Sequence, residues 1–135
     1  MSLLARFLGT WSLAREVDDA RAGALLAYEG TATLAPDEAG LVYDEAGAWT
    51  AGPYAGLRAT RRYLWRPASD GIAVLFHDGR PFHDFALARP AAQHLCGADT
   101  YDVTYAFALP GGWQSVWQVC GPAKDYRATT RYCRA

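Results

Sequence analysis

The sequence lacks both a long apolar run and a surplus of charge. No apolar stretch approaches the roughly 20 residues that a membrane-spanning helix requires. Thirteen Lys and Arg residues and fourteen Asp and Glu residues give a net charge of -1 and are spread along the chain. A nucleic-acid binder usually presents a basic face, and an anionic membrane attracts a basic block. We therefore expect neither nucleic acid nor a membrane among the partners.

Cysteine is scarce, with three in 135 residues. The first residues, MSLLARFLGTW, lack the apolar segment and small-residue cleavage site of a secretory signal peptide. An odd number of cysteines without an export signal is typical of reduced thiols. We therefore expect a cytoplasmic protein without disulfides, forming one domain over residues 1–135. The sequence leaves a homodimer open.

Helical periodicity is missing as well, and only a short helical turn is expected, at Met1–Arg6. Aromatic residues are abundant, with five Trp, eight Tyr and five Phe, and they alternate with polar residues between turn signals. The segment 48–66 fits one broken strand or two short ones. About ten short strands joined by short turns predict an all-β fold. We expect a single antiparallel up-and-down β-barrel, because closure removes exposed edges. The alternating segments are 8–17, 25–34, 40–45, 48–66, 71–77, 81–88, 91–96, 99–109, 113–120 and 125–134.

The number of residues in each turn determines which side chains of the next strand face the interior, because successive side chains of a strand point to opposite faces. Pairing Leu109 with Trp113, and Cys120 with Asp125, keeps one apolar face continuous over the last three strands. The predicted inward side chains there are Tyr101, Val103, Tyr105, Phe107, Leu109, Ser115, Trp117, Val119, Tyr126, Ala128, Thr130 and Tyr132.

The segment FHDGRPFHDF, residues 76–85, places two histidines around an Asp-Gly turn, a strong hairpin signal. An even-length turn puts His83 inside the barrel and His77 outside, whereas a three-residue turn would reverse the two. The apolar residues Ile72, Val74, Phe76, Phe85 and Leu87 favour the even turn. Phe85 and Leu87 follow His83 inward.

The turn at Gly97-Ala98 pairs His94 with Tyr101, so that His94 and Cys96 also face inward. His83, His94 and Cys96 have the chemistry of metal ligands but no spacing diagnostic of a metal site. We predict a polar lining role or a structural role for the two histidines, the latter through a hydrogen bond from His94 to a tyrosine such as Tyr101 or Tyr105, and no metal site. Metal or haem binding is the alternative.

Arg61, Tyr63 and Trp65 alternate on one strand and share a face. An arginine inside a barrel needs an acidic partner or an anionic ligand. The sequence leaves two candidates open, a salt bridge to Glu45 at the end of the barrel and the carboxylate head group of a ligand.

Gly9-Thr10-Trp11, at the start of the first strand, is similar to the Gly-x-Trp motif of the calycin superfamily, which includes the lipocalins. The resemblance implies that Trp11 closes one end of the barrel and packs against an arginine of the last strand. Alternation favours Arg134 over Arg131 for that role.

The whole chain also resembles a family of small bacterial proteins known only as a domain of unknown function. The resemblance implies a calycin-like barrel, of lipocalin or nitrobindin type, with no assigned activity. It rests on GTW (9–11), RRYLW (61–65), DGRPFHDF (78–85), HLCGADTY (94–101) and GPAKDY (121–126).

We expect the barrel to bind a small apolar or aromatic ligand, with or without an anionic group. The first alternative is an isomerase or lyase in which His83 or His94 is the general acid or base and Arg61 stabilises an anion. The second is a haem binder of nitrobindin type. The third is a barrel filled by its own side chains that acts as an interaction module. The predicted binding residues are Arg61, Tyr63, His83, Phe85, His94, Tyr101, Tyr105, Phe107 and Trp117.

Overall fold

The computed structural model describes residues 2–135. It has one 3₁₀ helix, Leu4–Phe7, followed by ten strands. The helix overlaps the predicted turn at Met1–Arg6, of which Met1 lies outside the described residues. The strands are β1 (Gly9–Asp19), β2 (Ala24–Pro36), β3 (Leu41–Ala51), β4 (Arg58–Pro67), β5 (Ile72–Phe76), β6 (Pro81–Phe85), β7 (Ala91–Cys96), β8 (Asp99–Ala108), β9 (Gly112–Cys120) and β10 (Asp125–Arg134).

All ten strands belong to one antiparallel sheet in which chain neighbours are sheet neighbours. The first and last strands, β1 and β10, pair from Trp11–Arg134 to Asp19–Tyr126 and so curl the sheet into a barrel. Over residues 2–135, β6 and β7 lie side by side without a hydrogen-bonded ladder. The protein is thus a nearly closed up-and-down barrel, and the predicted fold class is confirmed. Within the same range, no helix is long and apolar enough to cross a membrane.

The strand predicted over 40–45 is longer than expected, because β3 continues through Gly47 to Ala51. Gly47 pairs with Gly30 of β2, and a Cβ atom on Gly30 would lie 2.7 Å from the Cα atom of Gly47. The two backbones approach so closely that a side chain would collide. The turn comes later, at Gly52, whose φ of +94° suits glycine. The segment 48–66 is therefore divided between two strands.

The turn before β9 also differs from the prediction. Phe107, rather than Leu109, pairs with Trp113. The ladder is displaced by two residues, an even number, so the predicted faces of β8 and β9 survive the error.

The hairpin of β5 and β6 contains a bulge. Val74 pairs with His83, whereas Leu75 pairs with Pro81. A bulge places one extra residue on one strand, and here both Phe82 and His83 turn inward. Strict alternation would have placed Phe82 outside, but it is 3% exposed.

The predicted even-length turn is wrong, because the Phe76 N–H donates to the Arg80 carbonyl and leaves three residues between them. The extra residue of the bulge compensates, so the predicted faces of the two histidines hold. His83 is buried and His77 is exposed. Leu87, expected inside, is 42% exposed because β6 ends at Phe85 and Ala86 takes the buried place.

The 3₁₀ helix closes one end of the barrel. Phe7 is fully buried, and its carbonyl accepts a 2.9 Å hydrogen bond from the indole N–H of Trp11. The ring of Phe7 also packs edge to face against the rings of Trp65, Phe85, Phe107 and Trp113. Edge-to-face contacts between aromatic rings are favourable.

Arg134 covers the same end from β10. Its guanidinium carbon lies 3.7 Å from the ring centroid of Trp11, which is the contact that the calycin motif implies. The guanidinium also donates to the carbonyls of Leu8 and Pro110. Gly9 allows this approach, because its φ is +116° and a Cβ atom there would lie 2.9 Å from the guanidinium. We call this end the closed end.

Candidate functional site

A cavity of about 190 Å³ occupies the barrel between the closed end and the opposite end. Trp65 and Trp113 form its floor above the closed end. Asp19, Trp49 and Arg61 are less buried and line its mouth. The interior is therefore not filled by the protein's own side chains.

One side of the cavity, the aromatic wall, consists of Tyr63, Phe82 and Trp117. The rings of Phe82 and Trp117 pack edge to face with 5.2 Å between their centroids, and the ring centroid of Tyr63 lies 6.0 Å from that of Phe82. These residues come from β4, β6 and β9, so the curvature of the sheet brings them together. A surface of this kind favours a flat apolar ligand.

The other side, the polar wall, begins with a buried ion pair between Arg15 of β1 and Glu45 of β3. Both guanidinium NH₂ groups donate to the carboxylate, at 2.8 and 2.7 Å, and Nε donates to Thr130 at 2.7 Å. Burial alone would raise the pKa of Glu45. The hydrogen bonds from Arg15 and Tyr43 and the charge of Arg15 outweigh burial, and the pKa lies below its usual 4.5. Glu45 is therefore a carboxylate.

Two tyrosines complete the polar wall. The hydroxyl of Tyr43 donates to Glu45 at 2.6 Å, and the hydroxyls of Tyr43 and Tyr132 lie 2.7 Å apart. Burial is the main reason that the pKa of Tyr132 is raised to about 12, so its phenol is protonated at neutral pH. Tyr132 stacks on Trp113 with 3.7 Å between ring centroids, which fixes its position.

His83 and Tyr105 form a separate pair at the cavity. The Nε2 atom of His83 lies 2.7 Å from the hydroxyl of Tyr105. Burial, with a smaller effect of His94, lowers the pKa of His83 from 6.5 to about 3. His83 is therefore a neutral imidazole at physiological pH. Its Nδ1 atom has no hydrogen-bond partner among residues 2–135.

Arg61 lies at the mouth, not in the interior. Its guanidinium carbon is 5.7 Å from the ring centroid of Trp117. The candidate pairing with Glu45 does not form, because Arg15 reaches that carboxylate from inside the barrel. Within the described chain, Arg61 has no salt bridge.

Five of the nine predicted binding residues line the cavity and four do not. Phe85 and Phe107 pack below it, at the closed end. His94 and Tyr101 lie above the aromatic wall, where both pack edge-on against Phe82. The five that line the cavity are Arg61, Tyr63, His83, Tyr105 and Trp117.

Of the two charged members of the polar wall, sequence reasoning identified Glu45 but missed Arg15. Arg15 follows Trp11 and Leu13 at intervals of two and so shares their inward face. That alternation could have identified Arg15. The pairing of Arg15 with Glu45 could not be found in this way, since it spans two strands that are not neighbours.

The three side chains considered as metal ligands do not form a site. Cys96, expected inside, is exposed at the end of β7. His94 is half-buried and does not line the cavity with His83. Among residues 2–135, no group of three or more His, Cys, Asp or Glu side chains could hold a metal ion.

Comparison with solved structures supports the architecture. The structure of the S-type phycobiliprotein lyase CPES from Guillardia theta is similar to this one, with a TM-score of 0.64 and 10% sequence identity. The match covers 98% of this chain and 90% of the lyase chain. At this identity the likeness shows the fold alone.

No curated protein matches the sequence. One family model does, and it spans residues 7–134, nearly the entire chain. That span includes Phe7 and Arg134 of the closed end, both walls of the cavity and its mouth. The chain belongs to the family of unknown function DUF6314.

Proposed function

We propose that the protein binds a small, flat, largely apolar molecule inside the barrel. The observation that carries the proposal is the cavity itself, lined by the aromatic wall on one side and the polar wall on the other. Ligand sites typically combine apolar walls with a few fixed polar groups that orient the ligand.

The size of the cavity suits a ligand of one or two fused rings. Its volume of about 190 Å³ is comparable with engineered cavities of about 150 Å³ that bind benzene. A macrocycle such as haem would need a much larger space, which argues against the haem alternative. Arg61, at the mouth and free of salt bridges over residues 2–135, suits a ligand whose anionic group remains near solvent.

The histidines favour binding over acid–base catalysis. An effective general base has a pKa near the working pH, whereas the pKa of His83 is about 3. His94 lies outside the cavity. The resemblance to a phycobiliprotein lyase supports the barrel architecture but not an enzymatic reaction.

The test is a calorimetric titration of the protein with benzofuran, a neutral bicyclic probe. We expect saturable binding of one molecule per chain. In Ala128→Phe, the new ring projects into the cavity from β10, and affinity should fall at least tenfold. Thr129→Phe is the matched control, because the adjacent side chain points outward and binding should be unchanged.

Two results would contradict the proposal. One is the absence of saturable benzofuran binding to the wild-type protein. The other is equal binding by Ala128→Phe and the wild type, which would place the probe outside the barrel. Near-ultraviolet circular dichroism of both variants checks that the aromatic core is intact.

A further inference from the structure

We propose that the interior ligand donates a hydrogen bond, through an N–H or O–H group, to the hydroxyl oxygen of Tyr132. This inference rests on the proposed function and specifies the chemistry of the ligand. It follows from the direction in which the hydrogen bonds of the polar wall must run.

Glu45 sets that direction because a carboxylate accepts hydrogen bonds and has none to give. Its Oε1 atom accepts from Arg15 at 2.7 Å and from Tyr43 at 2.6 Å. Arg15 cannot lend Glu45 a proton, since a guanidinium stays charged in proteins. The single hydroxyl hydrogen of Tyr43 is therefore committed to Glu45.

The next bond is then fixed as well. The hydroxyls of Tyr43 and Tyr132 are 2.7 Å apart, and one of them must donate. Tyr43 has no second hydrogen, so Tyr132 donates to Tyr43. The chain of hydrogen bonds runs in one direction, from Tyr132 through Tyr43 to Glu45.

Tyr132 ends the chain as an acceptor without a donor. A phenol oxygen can accept a hydrogen bond while it donates one. No donor to this oxygen occurs among residues 2–135, and Tyr132 lines the cavity. A ligand N–H or O–H would donate a hydrogen bond to this oxygen, whereas a ligand with only acceptor atoms would leave the oxygen of Tyr132 without a donor.

The aromatic residues around Tyr132 suit a flat donor. Trp113 stacks on its ring with an interplanar angle of 7° and prevents the phenol from turning away. Trp65 and Tyr43 stack in the same way with an angle of 8°. The acceptor is thus held in place beside aromatic surfaces, as recognition of an N–H heterocycle or a phenol requires.

The experiment compares indole with benzofuran, two probes of the same shape of which only indole has an N–H group. The quantity measured is the ratio of the benzofuran Kd to the indole Kd. An unsatisfied buried donor costs at least about 1 kcal/mol, about fivefold in affinity. We therefore expect Tyr132→Phe, which removes the acceptor, to lower the ratio at least fivefold.

Tyr43→Phe tests the positioning role of the chain. Tyr132 then loses its own acceptor, and its hydroxyl hydrogen becomes free to turn toward the ligand. The preference for indole should fall although Tyr132 is still present. Tyr28→Phe is the matched control, because it removes a buried hydroxyl that bonds the carbonyl of Ala59 away from the cavity. Its ratio should equal that of the wild type.

The outcomes separate this inference from the proposed function. If neither probe binds the wild type, the proposed function fails. If both probes bind but the ratio of the benzofuran Kd to the indole Kd is the same in wild type and Tyr132→Phe, the cavity binds aromatic rings without a hydrogen bond from the ligand to Tyr132. That result overturns this inference alone. If Tyr132→Phe does not fold, Tyr43→Phe decides in the same way.

Discussion

At the residue scale, the most consequential feature is the ion pair between Arg15 and Glu45. Their side chains are 8% and 2% exposed, so both charges are withdrawn from water. Removing one partner leaves the other charge buried and uncompensated, which typically costs about 3–5 kcal/mol. We predict that Arg15→Leu lowers the free energy of unfolding by about this amount, measured by urea denaturation.

The exposed pair of Arg62 and Asp44, on β4 and β3, is the matched control. Its distance is also 2.7 Å, but both side chains are about half exposed. We expect Arg62→Leu to change the free energy of unfolding by less than about 1 kcal/mol. Equal losses in the two variants would show that the interior of the barrel does not exclude water from the polar wall.

His83 predicts how stability depends on pH. Its pKa is about 3 in the folded protein and 6.5 ordinarily, so between these values the unfolded chain binds a proton that the folded protein does not. The contribution of His83 to the free energy of unfolding therefore decreases as the pH falls below 6.5. The decrease is up to about 1.4 kcal/mol per pH unit.

Between pH 6.5 and pH 5 the protonation of His83 in the unfolded chain can be measured apart from that of the carboxylates, which ordinarily titrate at lower pH. We predict that His83→Gln flattens the slope of unfolding free energy against pH in that window, measured by urea denaturation at several pH values. An unchanged slope would mean that the imidazole is solvated in the folded protein.

At the scale of elements, the 3₁₀ helix Leu4–Phe7 acts as a plug. Phe7 is its buried residue and contacts four aromatic rings of the barrel. Truncating a buried phenylalanine costs about 3–5 kcal/mol. We predict that Phe7→Ala destabilises the protein by this amount, whereas Leu8→Ala, at a side chain that is 38% exposed, costs much less. Similar thermal midpoints for the two variants would contradict the plug.

Elements were predictable from the sequence where alternation was regular. The faces of β8, β9 and β10 follow from turn parity, and even the two-residue error at Leu109 left them unchanged. Prediction failed where local geometry departs from the regular pleat. The bulge at Phe82 and the close approach of Gly30 and Gly47 depend on neighbouring strands, which no short segment specifies.

At the scale of the whole molecule, closure of the barrel creates the candidate site. Arg15 and Glu45 are 30 residues apart and meet across the interior, with β2 between their strands. Tyr132 joins them only because β10 returns to β1. The sequence could indicate the barrel and the inward faces of Glu45, Thr130 and Tyr132, but not the contact of Arg15 with Glu45, since that contact depends on curvature.

The most direct test of ligand binding inside the barrel is a crystal structure of the protein bound to indole. We predict one indole inside the barrel, between the aromatic wall and the polar wall, with its nitrogen about 2.9 Å from the hydroxyl oxygen of Tyr132. Indole found only on the outer surface, with the cavity unoccupied, would contradict the claim that this barrel binds its ligand inside.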